Sequence, residues 1–203
     1  MGPVGGRGMR GHRGIGAIAA CFLLAGCAVV QGPPPETYDL TAPRDFSGRV
    51  GGTRAQLLIA NPSSVSVLDS ERIVLRPDPY VVTYLKGAQW TDKLPKLLQT
   101  RIIEAFENTG RIRAVGRPGE GLLIDYQLVL DIRQFEIDTS SGLAQVLISA
   151  KVMNDRNGRV LASRQIGGQA SVNGGGNDEM IAALDAASTA AIDQLVRWTL
   201  EKI

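Results

Sequence analysis

The chain's only histidine, His12, and both of its cysteines, Cys21 and Cys27, lie within the first 27 residues. Whatever folds after them folds without a free thiol, a disulfide or an imidazole. That distribution removes Ser-His-Asp and Cys-His nucleophilic sites, structural zinc sites and His-ligated metals from residues 28–203. A Gly-x-x-x-x-Gly-Lys-Ser/Thr loop is absent as well, which excludes nucleotide hydrolysis of the P-loop kind. An enzyme here would be confined to a carboxylate, Ser-Lys or Tyr site, and no spacing points to one.

The segment that holds the cysteines has its own logic. Arg7, Arg10, His12 and Arg13 precede an apolar run from Ile15 to Leu24, which closes on Leu24-Ala25-Gly26-Cys27. Basic, apolar, then small residues is the order of a secretory signal. A signal ending in Leu-Ala-Gly-Cys resembles the bacterial lipoprotein class, in which the thiol is diacylated and the chain is cut before it. Cys27 is therefore the expected lipidation site and first mature residue. Ile18-Ala19-Ala20-Cys21 also fits the small-residue pattern, but its apolar run would be only about six residues, below the usual 7 to 15. It would also leave Phe22, Leu23 and Leu24 on the mature chain. The run is too short to span a bilayer, which takes about 20 residues, whereas two or more acyl chains anchor a protein stably.

Residues 1–26 are thus read as a lipoprotein signal peptide, 27–36 as the lipidated Cys with a proline-rich tether, and 37–203 as one domain. Pro33-Pro34-Pro35 favours an extended spacer of about 3.1 Å per residue. Asp after the lipidated Cys commonly retains bacterial lipoproteins in the inner membrane, and here the residue is Ala28; the expectation is an outer-membrane, periplasm-facing protein. Charge follows the same division. Of 22 Lys and Arg, three (Arg7, Arg10, Arg13) fall in the signal along with none of the 20 Asp and Glu, leaving 19 against 20 and a formal charge of −1. No electrostatic case for nucleic acid survives.

Apolar runs at Ala55–Ala60, Arg72–Arg76 and Tyr80–Leu85, separated by Asn61-Pro62 and Pro77-Asp78-Pro79, predict short strands, with a brief one at Thr37–Thr41 and a loop over Arg44–Arg54. The period then changes. Leu94, Leu97, Leu98, Ile102, Ala105 and Phe106 form one stripe at helical spacing, with Thr91 or Asp92 as N-cap, Pro95 in the first turn and Gly110 as stop. Ile103 points away from that stripe, either as an isolated exposed residue or as part of a partner surface.

Ile112–Val115 suggests a short strand and Leu122–Asp138 the longest one. Ile124, Tyr126, Leu128, Leu130 and Ile132 alternate, then Phe135 and Ile137 continue out of phase, which calls for a bulge near Arg133-Gln134. Asp125, Asp131, Glu136 and Asp138 decorate the other side and read as a solvated face. Ala144–Met153 and Val160–Val172 flank Asn157-Gly158, a hairpin signature with positive φ expected at both turn residues. Gly174-Gly175-Gly176 leads into a helix with Asn177 as cap and Asp178 and Glu179 in its first turn. Its buried stripe is Met180, Leu184, Ala187, Ala191, Leu195 and Trp198, with Ile181 and Ile192 at the margin; Ala182, Ala183, Ala186 and Ala190 face away. This order predicts an α+β fold, a mainly antiparallel sheet with two helices packed on one face in two layers.

Taken together, Tyr38-Asp39-Leu40, Leu68-Asp69-Ser70-Glu71-Arg72-Ile73, and Tyr84 followed by Gly87-Ala88-Gln89-Trp90-Thr91-Asp92-Lys93-Leu94-Pro95 resemble the ABC-type transport auxiliary lipoproteins. The resemblance runs from Tyr38 to the C-terminal helix. It implies a non-catalytic, cofactor-free lipoprotein serving an ATPase, a permease and a periplasmic MCE-domain protein that carries lipids between two membranes. The competing class is a structural or assembly lipoprotein of the envelope. Trp90 is read as a packing residue at the strand-to-helix junction, and Arg72 as a strand-edge charge or an interaction residue. On the sheet face that the helices leave uncovered, Val129, Leu147 and Met153 are expected in water, to be buried by self-association as a homo-oligomer or by docking on the MCE component.

Overall fold

A computed structural model describes residues 1–6, 33–48 and 50–203. Cys21, Cys27, the apolar run and Ala28 lie outside the described residues. Residues 1–34 and 35–203 form separate units, and the described residues of the first carry no regular structure. In the second, chain order gives β1 (Glu36–Tyr38), β2 (Gln56–Ile59), β3 (Ser63–Ser64), β4 (Arg72–Asp78), β5 (Val81–Trp90), α1 (Leu94–Thr109), β6 (Ala114–Gly116), β7 (Tyr126–Asp138), β8 (Leu143–Asn154), β9 (Val160–Ser171) and α2 (Asn177–Leu200).

Everything is hung on β7. One edge pairs antiparallel with β8 along its whole length, and β8 pairs antiparallel with β9. The other edge takes three short strands in succession, all parallel to it: β2 against Tyr126–Leu128, β3 against Asp131–Ile132 and β4 against Glu136–Asp138. Outside β4 lie antiparallel β5 and then β1, parallel to β5; outside β2 lies parallel β6. The sheet is therefore mixed, which corrects the expectation of a mainly antiparallel one. Parallel pairing requires a crossover connection, and α1 with its flanking segments supplies it between β4–β5 and β7. The predicted bulge is present, as the register with β8 slips between Ile132 and Gln134. That slip keeps Phe135 and Ile137 facing inward with Leu128, Leu130 and Ile132, all five buried.

The inward residues of the strands and the stripes of both helices make one hydrophobic cluster, so the domain is α+β in two layers. Each fully buried Leu, Ile or Phe contributes about 1.5–3 kcal/mol. All six predicted stripe residues of α1 are buried, Pro95 sits in its first turn and Gly110 ends it. The cap differs: Lys93 occupies the N-cap with no side-chain bond to the helix, while Asp92 accepts from the Lys93 N–H and pairs with Lys96. Ile103 is half-buried and packed on the core, so it is not an isolated exposed residue.

In α2 the N-cap is Gly176, not Asn177, whose amide instead donates to the Lys86 carbonyl at 3.1 Å. Ile181 and Ile192 are buried and Met180 is only half-buried, so the stripe is rotated slightly from its expected position. Ala183 joins the core as well, leaving Ala182 and Ala186 exposed. The helix lies very close to β9 because Gly168 has no side chain to hold it off. In the β8–β9 turn only Gly158 has positive φ (68°), and the Gly158 N–H donates to Asn154. The loop is therefore longer than the expected two-residue turn.

Candidate functional site: the tether base and the uncovered sheet face

The expected lipidation site, Cys27, lies outside the described residues, but the point where its tether enters the domain does not. Pro33, Pro34 and Pro35 are exposed and lead directly into β1. From there residues 38–43 are tied to both helices. The Tyr38 hydroxyl lies 2.7 Å from a Glu36 oxygen and 2.8 Å from Asp178 of α2, and these two carboxylates, Glu36 first, push the phenol above its ordinary range. Thr41 donates its backbone N–H and its hydroxyl to the two carboxylate oxygens of Asp185, also on α2. Asp39 pairs with Arg101 of α1 at 2.6 Å, and this contact, more than that with Glu104, holds the guanidinium charged above its ordinary range. Asn108 of α1 donates to the Pro43 carbonyl at 3.0 Å.

Magnitudes rank these contacts. An exposed ion pair contributes about 0–1 kcal/mol and a typical hydrogen bond about 0.5–1.5 kcal/mol. Leu40, 2% exposed in the middle of the segment, contributes about 1.5–3 kcal/mol by burial. Leu40 is thus the pin, and the polar contacts around it set its direction. Sequence patterning marked Tyr38 and Leu40 as a strand but carried no signal for Asp178, Asp185 or Arg101, whose role depends on contacts far apart in the chain.

The opposite side of the sheet carries Val129, Leu147 and Met153, all half-buried rather than fully exposed. Val129 stands opposite Lys151 and diagonal to Met153, which in turn faces exposed Val160. Leu147 stands apart, opposite Gln134 and Gly167. The structure therefore brings Val129 and Met153 together and leaves Leu147 separate, with Gln145, Ser149 and Lys151 interspersed.

One member of the expected solvated face is not solvated. Glu136 is 3% exposed, with Arg76 of β4 donating to it at 2.7 Å, and that bond raises the guanidinium above its ordinary range. The two line a polar cavity of about 330 Å³ together with Asp78, Gln134, Asp138 and Gln145. Asp138 is held down to about 2 by hydrogen bonds from Ser140, then Ser141, of the following turn. Glu136 and Asp138 are thus already committed to structural partners, and Asp78 accepts from the Tyr80 N–H. Among the described residues no group of three or more His, Cys, Asp or Glu is placed to hold a metal, and no helix is long and apolar enough to cross a membrane.

Trp90 sits where it was expected, 1% exposed at the junction of β5 and α1, edge-on to Phe135 with centroids 5.9 Å apart. Arg72 lies on the strand with its guanidinium 3.7 Å over the Tyr84 ring.

These features define a two-layer α+β domain whose N-terminal lead is strapped to both of its helices. A family model for the ABC-type transport auxiliary lipoprotein component matches residues 38–196, and the chain belongs to that family. The match begins at the tyrosine that ties the lead to α2. A crystal structure of protein XCC0632 from Xanthomonas campestris, of the DUF330 family, is 31% identical with a TM-score of 0.77, covering 82% of this chain and 95% of that one. An uncharacterized protein of Bradyrhizobium diazoefficiens, bll6063, is 33% identical over 168 residues. The alignment takes in 81% of this chain and only 44% of that relative's length. A crystal structure of another uncharacterized protein shares the fold at a TM-score of 0.66 and 12% identity, over 82% of this chain and 99% of that one.

Proposed function

We propose that this chain is a non-catalytic, lipid-anchored docking adaptor of an MCE/ABC-type intermembrane lipid transport system, held in the outer membrane and facing the periplasm. The observation that carries the reading is the strapped tether base. Residues 36–43 are fixed to both helices, so an anchor at Cys27 would keep the domain, and the sheet face its helices do not cover, within about 30 Å of the membrane. Family membership supports the transport system as the setting, and Ala28 in place of Asp supports the outer membrane. The polar cavity at Glu136 favours structure over chemistry, because Arg76 pairs with Glu136 while Asp78 and Asp138 accept hydrogen bonds from the turns that follow them.

The anchoring is tested with Cys27→Ser, which should release the protein from membranes or leave it unprocessed. Intact-mass analysis finding the acyl chains on Cys21 would defeat the assignment, and fractionation solely with inner-membrane markers would defeat the location. Docking is tested with Leu147→Glu and Met153→Glu, which should abolish copurification with the MCE-domain protein while leaving fold and lipidation intact. Unchanged assembly in both would exclude this face and redirect attention to Ala182 and Ala186. A properly lipidated wild-type protein that never copurifies with an MCE component would instead favour a structural role in the envelope.

A further inference from the structure

The turn joining β4 to β5, with the first two residues of β5, exposes apolar side chains where a soluble hairpin end is normally polar. Tyr80 is 94% exposed, Val81 44% and Val82 36%, and they follow Pro77 and Pro79. The turn is nevertheless well built: the Tyr80 N–H donates to Asp78 at 2.9 Å, and Arg76 donates to the Pro79 carbonyl at 3.2 Å. These apolar side chains are thus presented on a preorganised loop. The neighbouring β7–β8 turn reaches the same end of the sheet, with the Thr139 N–H bonded to the Arg76 carbonyl; its residues Thr139, Ser140 and Ser141 are uncharged, and the flanking carboxylates of Asp78 and Asp138 are taken up by hydrogen bonds within the two turns.

Topology says which way this end points. β1 runs parallel to β5, with Glu36 opposite Ala88 and Tyr38 opposite Trp90, and β5 runs antiparallel to β4. Going backward along β1 is therefore going forward along β4, toward Asp78 and the turn. Arg72, opposite Gln89 and hence level with Thr37, is six residues from Asp78, about 20 Å along the strand. Cys27 precedes Glu36 by nine residues, which span about 30 Å at most. The tether can exceed the distance to the turn by only about 10 Å, on the scale of the headgroup layer of one leaflet, roughly 5–8 Å. Leu123 and Val160, also exposed and apolar, lie at the other end, beside the start of β7 and the end of β8.

We infer that the β4–β5 turn is a second membrane contact: Tyr80, Val81 and Val82 enter the headgroup region of the bilayer that holds the Cys27 lipid, and so fix how the domain stands on it. The inference rests on the proposed acylation of Cys27. Tyrosine suits such a layer, with an apolar ring and a hydroxyl that keeps its water. Two valines alone would not hold a protein to a membrane, but beside an acyl anchor the contact is intramolecular and needs little affinity.

The test uses full-length acylated protein in liposomes of phosphatidylethanolamine and phosphatidylglycerol. Tyr80→Cys is labelled with an environment-sensitive nitrobenzoxadiazole probe, and Leu161→Cys serves as the control at the far end. With Cys27 acylated, the introduced cysteine is the sole reactive thiol of the mature chain. The probe at position 80 should brighten at least twofold on reconstitution and be quenched by brominated lipid, while that at 161 changes little. Equal responses at the two positions, with acylation confirmed by mass and the fold confirmed by circular dichroism, would overturn the contact. Brightening that depends on protein concentration and not on liposomes would overturn it too, assigning the turn to a protein partner. A Cys27 without acyl chains would defeat the anchoring reading separately, and with it the geometry used here.

Discussion

Thr41 gives both its backbone N–H and its hydroxyl to Asp185, at 2.7 and 2.6 Å, joining the entry of the domain to the middle of its last helix. The pair lies near the surface, so its contribution belongs at the low end for hydrogen bonds to a charged group. Asp185→Ala should lower the free energy of unfolding by about 1.5 kcal/mol, with Asp185→Asn intermediate because its amide retains one acceptor. Limited proteolysis should cut residues 36–43 sooner in Asp185→Ala, ahead of global unfolding. Equal protease resistance in the two proteins would show that Leu40 alone holds the segment.

Gly168 and Gly167 are adjacent on β9 and face opposite ways, which makes them an internal comparison. A methyl group on Gly168 would collide with the Ala187 carbonyl of α2, backbone that moves only if the helix moves. On Gly167 it would stand 3.2 Å from the Val146 carbonyl, a tight fit that a small adjustment relieves. Gly168→Ala should cost about 1–3 kcal/mol by overpacking. Gly167→Ala should be close to neutral, since replacing glycine in a strand also restricts the unfolded chain. Urea denaturation of the two variants reads the difference directly.

Local pattern made some of this architecture legible. Leu94, Leu97, Leu98, Ile102, Ala105 and Phe106 repeat at helical spacing and all are buried. The slip in phase between Ile132 and Phe135 announced a bulge that the β8 register shows. Pairing partners were not legible, because a strand's period says which face is apolar and nothing about its neighbour. β2, β3 and β4 line up along one edge of β7, and the two serines of β3 carry no apolar signal at all. Glu136 shows the same limit. Alternation placed it on the outer face, where it is, but Arg76, which shields it, arrives from a strand 60 residues away. The tether base was invisible for that reason too, since Thr41 and Asp185 are separated by 144 positions.

Asp138 contributes a pH dependence that its turn makes testable. Its carboxylate accepts from the hydroxyl and backbone of Ser140 and from the backbone of Ser141, and these bonds hold it down to about 2. An ordinary aspartate in an unfolded chain titrates near 3.9, about two units higher. Between those values the unfolded chain binds the proton and the folded chain does not, so lowering the pH favours unfolding. The stabilisation is complete above about pH 4 and is lost as the pH falls through about 2. The thermal midpoint of the wild-type protein should be level above pH 5 and decline toward pH 2. In Asp138→Asn that decline should be shallower and the midpoint at pH 7 lower, because the amide cannot take the charge that the turn is built to receive. Superimposable pH profiles for the two proteins would show that the β7–β8 turn does not depend on this carboxylate.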